Sequence, residues 1–166
     1  GQGLTSLSLR SFDYRHQPGL WAALPSTSWV ANLETLALHG QRLTSAMLAL
    51  QAPFWQGMCN LRTLCLSNNR LSKLDGSWWA PLQKLERLNL AFNRILDVDP
   101  GQSFGSLPSL YYINLAENRI TVPRSPKDFP QLPGLAVLNL DSNPCNSGEP
   151  QTDEELVYAP FPSSSL

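Results

Sequence analysis

The chain has 166 residues, with 12 basic and 13 acidic side chains and a formal net charge of −1. This length allows one domain with a sizeable core, and the near-neutral charge excludes a general attraction to nucleic acid or to anionic membranes. No run of 18 apolar residues occurs, so the sequence predicts no membrane-spanning helix.

The N-terminal stretch GQGLTSLSL has no starting Met, basic region or hydrophobic run, so we expect a fragment or an interior segment rather than a targeting signal. The three cysteines, Cys59, Cys65 and Cys145, are too far apart in sequence for a disulfide framework or a close metal-ligand pair. No Asn-X-Ser/Thr acceptor occurs. These features favour an intracellular, cytoplasmic compartment, and an extracellular one stays open for a receptor fragment.

Leucine is abundant, at 30 residues, and its spacing is regular. The pattern L-x-x-L-x-L-x-x-N-x-L recurs six times, with periods of 29, 28, 24, 25 and 25 residues. Its first leucines are Leu4, Leu33, Leu61, Leu85, Leu110 and Leu135. The first unit is the least regular, because Phe12 stands where the others have Asn or Gln. Such a period is typical of repeat proteins whose units stack.

Each unit predicts one short strand. Leu36 and Leu38 alternate with Thr35, Ala37 and His39, which is the period of two expected of a strand with one buried face. The same alternation recurs at Leu64/Leu66, Leu88/Leu90, Ile113/Leu115 and Leu138/Leu140. We expect the strands to lie side by side and parallel, so that stacking makes a continuous core.

An amide side chain follows each strand from the second unit onward. These residues are Gln41, Asn69, Asn93, Asn118 and Asn143. Because an amide both donates and accepts, we expect each to satisfy main-chain groups in its own coil and the next.

The return segment of four units carries an aromatic residue at one position: Trp55, Trp79, Phe104 and Phe129. This periodicity favours core filling on the convex side over a binding role. The longer second unit has room for a short helix, and the later units, richer in Pro and Gly, predict turns or 3₁₀ segments.

The repeat pattern stops after Pro144. Residues 1–145 are therefore predicted to form the repeat domain, and residues 146–166 a C-terminal cap and tail. Leu156, Val157 and Tyr158 are expected to cover the last repeat, and the segment beyond Pro160 to be extended or disordered.

The motif, recurring in register over residues 4–145, resembles the leucine-rich repeat family. The resemblance implies an α/β fold, a right-handed solenoid with a parallel β-sheet on its concave face and short helices, 3₁₀ turns or loops on its convex face. It also implies a binding module for another protein. The 24–25-residue units resemble those of Toll-like receptors and small proteoglycans, which usually carry cysteine-rich caps.

The stretch NPCNSGEPQ has one cysteine where such a cap has a cluster. An adaptor, receptor or assembly subunit is therefore the leading interpretation. A ligand-sensing ectodomain fragment and a scaffold domain of a larger enzyme or complex remain alternatives.

Residues that alternate with the core leucines should face the concave side. In the first three units these residues are mostly small and offer few distinctive contact groups, whereas the last three units carry Arg87, aromatic residues and three asparagines. Because Tyr and Arg are enriched at binding hot spots, we predict a partner-binding set in this half. It comprises Arg87, Asn89, Phe92, Tyr111, Tyr112, Asn114, Asn139 and Asp141. The alternative is that these positions are polar only because they are exposed.

Four arginines, Arg42, Arg70, Arg94 and Arg119, follow the amide position in successive repeats. On strands about 4.8 Å apart they should form a row along one rim. An acidic segment of a partner would suit this row. The simpler interpretation, which we favour, is that basic residues suit this exposed corner.

Candidate catalytic chemistry is sparse. The only histidines are His16 and His39, and His39 is predicted to lie near Cys65 on the neighbouring strand. We interpret His39 and Cys65 as two ordinary surface residues rather than as a reactive pair or a metal site. No phosphate-binding Gly motif, paired-Cys knuckle or H-E-x-x-H motif occurs. The sequence therefore predicts no enzyme, no cofactor and no metal site, and a protein partner rather than nucleic acid.

Overall fold

A computed structural model describes residues 5–10, 28–50 and 55–146. Its centre is one six-stranded sheet in which all neighbouring strands are parallel and follow chain order. The strands are β1 (Ser6–Arg10), β2 (Thr35–His39), β3 (Thr63–Cys65), β4 (Arg87–Asn89), β5 (Tyr112–Asn114) and β6 (Val137–Asn139). In the described part of the chain, no helix is both long and apolar enough to cross a bilayer.

The repeat period sets the register of the sheet. Leu36, Leu64, Leu88, Ile113 and Leu138 are successive partners across β2 to β6, and the first four of these side chains are fully buried. Equivalent leucines therefore stack in rows, as the repeats predicted. Leu138 and Leu140 in the last repeat keep 6% and 4% exposure, because no later described coil packs against them.

The convex side returns through short helical segments. They are α1 (Ser45–Leu50), α2 (Gly76–Trp79) and the 3₁₀ turns Ser28–Asn32, Pro126–Asp128 and Pro144–Asn146. The helix expected in the second unit is confirmed. The expectation of only turns or 3₁₀ segments afterwards is wrong for the third unit, where the Asp75 side chain accepts from the Ser77 amide and starts α2.

The four convex aromatic residues fill the core as predicted, with Trp55, Trp79 and Phe104 fully buried and Phe129 1% exposed. Trp55 and Trp79 pack at 6.1 Å between ring centroids, and Phe104 and Phe129 at 5.7 Å. Trp78 also packs edge-on against Trp79, at 5.7 Å, a contact that the repeat pattern did not reveal because Ser103 and Asp128 hold that place in the later units.

Four buried asparagines hold successive coils together; Asn69, Asn93, Asn118 and Asn143 are called the inner asparagines below. Asn69 donates through Nδ2 to the Leu38 carbonyl at 2.9 Å and accepts through Oδ1 from the Leu43 amide at 3.0 Å. It also donates to the Leu66 carbonyl of its own coil, at 2.9 Å. The predicted bridging is confirmed, but each amide reaches the preceding coil rather than the next.

The chain turns sharply just before each inner asparagine. Asn68, Phe92, Glu117 and Ser142 all have φ between 55° and 57°, and Gly40 has φ 69° at the equivalent place. This is the left-handed region, which non-glycine residues rarely adopt. The described coils from the second to the sixth therefore all adopt this unusual backbone conformation at the equivalent place.

Several predictions fall outside the described residues. These concern Leu4, Phe12, His16, the cap residues Leu156, Val157 and Tyr158, and the tail beyond Pro160.

Candidate functional site

The concave face is built from three columns of side chains, because every second strand residue points away from the leucine core. The column at the start of the strands holds Thr35, Thr63, Arg87, Tyr112 and Val137. The middle column holds Ala37, Cys65, Asn89, Asn114 and Asn139. The third holds His39, Ser67, Ala91, Ala116 and Asp141, at or just beyond the strand ends.

Tyr112 is not the exposed contact that the sequence suggested. Its side chain is fully buried, and the Arg87 guanidinium carbon lies 5.0 Å from the centre of its ring. Arg87 and Tyr112 are register partners on β4 and β5, so the long arginine side chain lies across the neighbouring ring. The pair is a cation–π contact in which Arg87, half-buried, presents the accessible group.

Asn89, Asn114 and Asn139, called the concave asparagines below, are also far less exposed than expected, at 8%, 6% and 8%. Their Oδ1 atoms accept from the main-chain amides two residues on, those of Ala91, Ala116 and Asp141, at 3.0, 3.0 and 2.9 Å. The expected exposure of these three residues is wrong, because each side chain folds back onto its own strand. The three amides line the floor of the concave face.

The remaining members of the predicted set are accessible. Phe92 is 53% exposed and Tyr111 is 38% exposed, and Asp141 is also exposed. The structure does not bring the two aromatic side chains together, since Tyr111 precedes β5 whereas Phe92 follows the end of β4. The two side chains therefore lie at opposite ends of the strands, on the two rims of the concave face.

Phe92 has an unusual setting for a large apolar residue. Its backbone is held at φ 57°, and its amide donates to the Ala116 carbonyl at 2.9 Å. The same place is held by Gly40, Asn68, Glu117 and Ser142 in the other described coils. An alignment of the repeats shows Phe92 as the one apolar side chain among these five.

The four arginines predicted for the rim, Arg42, Arg70, Arg94 and Arg119, are all exposed. The amides of Arg70, Arg94 and Arg119 donate to the Leu43, Leu71 and Ile95 carbonyls of the preceding coil, at 2.8, 2.8 and 2.9 Å. These bonds set Arg70, Arg94 and Arg119 in a row, next to the edge that carries Phe92. At the opposite edge, Arg62 and Glu86 form an exposed ion pair at 2.7 Å.

The N-terminal half of the concave face carries a small polar cluster. The Ser67 hydroxyl lies 2.6 Å from His39 Nδ1 and 3.1 Å from Cys65 Sγ. The predicted proximity of His39 and Cys65 is thus mediated by Ser67, which lies two residues after Cys65. A hydroxyl with two such partners is satisfied although it is buried, so this cluster fulfils a structural need.

Cys145 lies after the last described strand and is half-buried. Burial raises the pKa of its thiol, and the negative charge of Asp97 adds to that effect. A raised pKa leaves less of the nucleophilic thiolate at neutral pH. This thiol therefore has no sign of activation.

Two family models match the chain. The model described as Leucine rich repeat matches residues 83–144, and that described as Leucine Rich repeats (2 copies) matches residues 59–100. Together they span residues 59–144, which is more than half of the chain. A comparison with curated proteins finds no match.

Two solved structures illustrate the similarity. A leucine-rich repeat protein from Leptospira interrogans is 28% identical, with a TM-score of 0.55 over 72% of this chain and 28% of its own. A chain in the Toll–Spatzle complex of Drosophila is 27% identical, with a TM-score of 0.54 over 68% of this chain and 16% of its own. The present chain thus spans well under a third of either one. Its repeat register, its sheet of parallel strands and these matches establish that the chain belongs to the leucine-rich repeat family.

Proposed function

We propose that this chain binds a protein partner through the C-terminal half of its concave face, as part of an adaptor, receptor or assembly. The single observation that carries the proposal is Phe92, a large apolar side chain that is 53% exposed on a left-handed backbone turn. Neither the exposure nor the conformation favours Phe for stability. Strained, exposed residues of this kind cluster at functional sites.

The surroundings of Phe92 support a protein partner. Arg87 is half-buried over Tyr112, Tyr111 is exposed at the other edge, and Asp141 supplies a negative charge. Arg and aromatic residues are enriched where proteins meet. Because the positions lie on or next to paired strands, little side-chain and loop ordering would oppose binding.

The rim arginines extend this surface. Arg94 lies two residues after Phe92, and Arg70 and Arg119 occupy the same place in the adjoining coils. A partner with carboxylates near its contact with Phe92 would gain charge-assisted bonds there. Binding of such a partner would weaken as salt rises, because exposed charges are screened.

Affinity capture from the native source tests the proposal. The wild-type chain, the Phe92→Asn variant and the Leu50→Asn variant are compared by quantitative mass spectrometry. Leu50 is the matched control, since it is 80% exposed at the end of α1 on the convex side. We expect a partner that Leu50→Asn retains and Phe92→Asn loses. Partners retained equally by both variants would contradict the concave face as the binding surface.

A second candidate is ligand sensing by an ectodomain fragment. The similarity to a chain of the Toll–Spatzle complex, a molecular hub in development and innate immunity, favours it. This candidate requires secretion, so Cys145 would be oxidised in the native protein. Thiol mapping of material from the source separates the two, since a free Cys145 thiol supports the adaptor and a disulfide supports the ectodomain.

A further inference from the structure

The concave asparagines differ from the inner asparagines in how they use their amides. Asn118 donates through Nδ2 to the Leu90 and Leu115 carbonyls, each at 3.0 Å, and accepts through Oδ1 from the Ile95 amide at 3.0 Å. Asn114 instead uses Oδ1 alone, for the Ala116 amide at 3.0 Å. Within the described residues, Nδ2 of Asn89, Asn114 and Asn139 has no acceptor.

These three side chains are more than nine-tenths buried, with exposures of 8%, 6% and 8%. None of the three Nδ2 atoms is among the buried, unpartnered side-chain atoms of the described residues, so each still reaches solvent on the concave side and is open to a ligand. Their orientation is fixed, because the bond from Oδ1 to the amide two residues on holds each side-chain plane. Nδ2 therefore points away from the strand, into the concave groove.

The spacing and extent of the row are set by the sheet. Asn89, Asn114 and Asn139 are register partners on β4, β5 and β6, so their donors are separated by about 4.8 Å. In the same column, β3 has Cys65 and β2 has Ala37, neither of which carries an amide. The row is thus confined to the half of the face that carries Phe92.

The chemistry of the row selects its ligand. An amide NH₂ group only donates, so the ligand must offer acceptors in series. The amides themselves carry no positive charge, so the row does not select a phosphate over a neutral acceptor. An extended peptide fits well, since a chain crossing the strands has main-chain carbonyls that no sheet partner satisfies.

We propose that the concave asparagines bind an extended peptide segment of the partner by donating from Nδ2 to its main-chain carbonyls. The segment runs across β4, β5 and β6 and passes beside Phe92. This inference rests on the proposed function and goes further, because it gives the conformation of the partner and the atoms that recognise it.

The test uses peptides selected from a random linear peptide library displayed on phage, with the wild-type chain as target. Selected peptides are titrated against the wild type, Asn114→Asp and the control Asn32→Asp. Asp at position 114 keeps the oxygen that accepts from the Ala116 amide but replaces the donor with an acceptor. Asn32 is exposed in the 3₁₀ turn that precedes β2, so its variant has the same change in charge away from the groove.

We expect Asn114→Asp to weaken binding at least about tenfold, the ratio that corresponds to the loss of a good hydrogen bond, and Asn32→Asp to leave it unchanged. In ¹H–¹⁵N spectra, the side-chain NH₂ signals of the three concave asparagines should shift on binding. The difference in affinity between the wild type and Asn114→Asp should also survive replacement of any Asp or Glu in the peptide by Asn or Gln, since main-chain carbonyls are the acceptors. Denaturation curves establish that both variants fold.

The outcomes separate this inference from the proposed function. Peptides that lose affinity for Phe92→Asn but not for Asn114→Asp would keep the concave face as a binding surface and overturn the role of the asparagine row. Peptides insensitive to both variants would overturn both proposals. A library that gives no binder, or a spectrum in which the three NH₂ signals stay in place, would also overturn the asparagine row.

Discussion

Gly76 and Gly105 pack backbone against backbone on the convex side. The Gly76 amide donates to the Gln102 carbonyl at 2.6 Å, and a Cβ built on Gly76 would lie 2.9 Å from the Gly105 Cα and closer still to its amide nitrogen. Gly105 itself has φ +65°. Two adjoining coils can approach this closely only because neither residue has a side chain.

The first prediction follows from that contact. Gly76→Ala should destabilise the fold by about 1–3 kcal/mol, because the added methyl group meets rigid backbone on which no side chain can yield. Urea denaturation measures the effect. Gly134→Ala is the control, since its Cβ would have its nearest neighbour at 3.4 Å, and it should be neutral or stabilising by up to about 1 kcal/mol. Equal stability of the two variants would contradict the close approach.

The leucine rows give the second prediction. Leu90 is fully buried in the core, so Leu90→Ala should cost about 2–5 kcal/mol of unfolding free energy by leaving a cavity. Leu96→Ala, with a side chain that is 54% exposed, should change stability by no more than about 0.5 kcal/mol. Thermal denaturation of both variants is the measurement, and an unchanged Tm for Leu90→Ala would show that the register is wrong.

A third prediction concerns the inner asparagines. Asn118→Ala removes the acceptor of the Ile95 amide and one of the two side-chain amides that donate to each of the Leu90 and Leu115 carbonyls. Those carbonyls keep Asn93 and Asn143 as donors. A buried amide left unpaired costs about 1–3 kcal/mol, so a loss of at least about 1 kcal/mol is expected. The exposed Asn32→Ala is the control. Chemical denaturation that places both variants within about 0.5 kcal/mol of the wild type would refute the bridging role.

The strain at Phe92 gives the fourth prediction. Asn tolerates the left-handed region far better than Phe, and Asn68 already occupies it in the preceding coil at φ 55°. Phe92→Asn should therefore raise the unfolding free energy by about 0.5–1 kcal/mol. Phe92→Leu keeps a bulky side chain on the same backbone and should bring no such gain. If Phe92→Asn lowers stability in urea, Phe92 serves the fold rather than a partner.

The sequence by itself determined the repeat architecture. The period of the leucines defined which residues are buried, and the asparagine after each strand marked the turn. Both follow from local constraints, because a strand alternates its faces every two residues and an amide can satisfy donors and acceptors together. The convex aromatic residues were also predictable, since they recur at one place in the repeat.

Only the tertiary structure decided which concave residues a partner can reach. Strand alternation says that Tyr112 and Asn114 point away from the leucines, but not that Arg87 lies over the Tyr112 ring or that Asn114 turns back to the Ala116 amide. The sequence also missed that Phe92 sits on a left-handed turn. These features depend on side chains from neighbouring coils about 4.8 Å apart, and a distance between coils is fixed only when the coils stack.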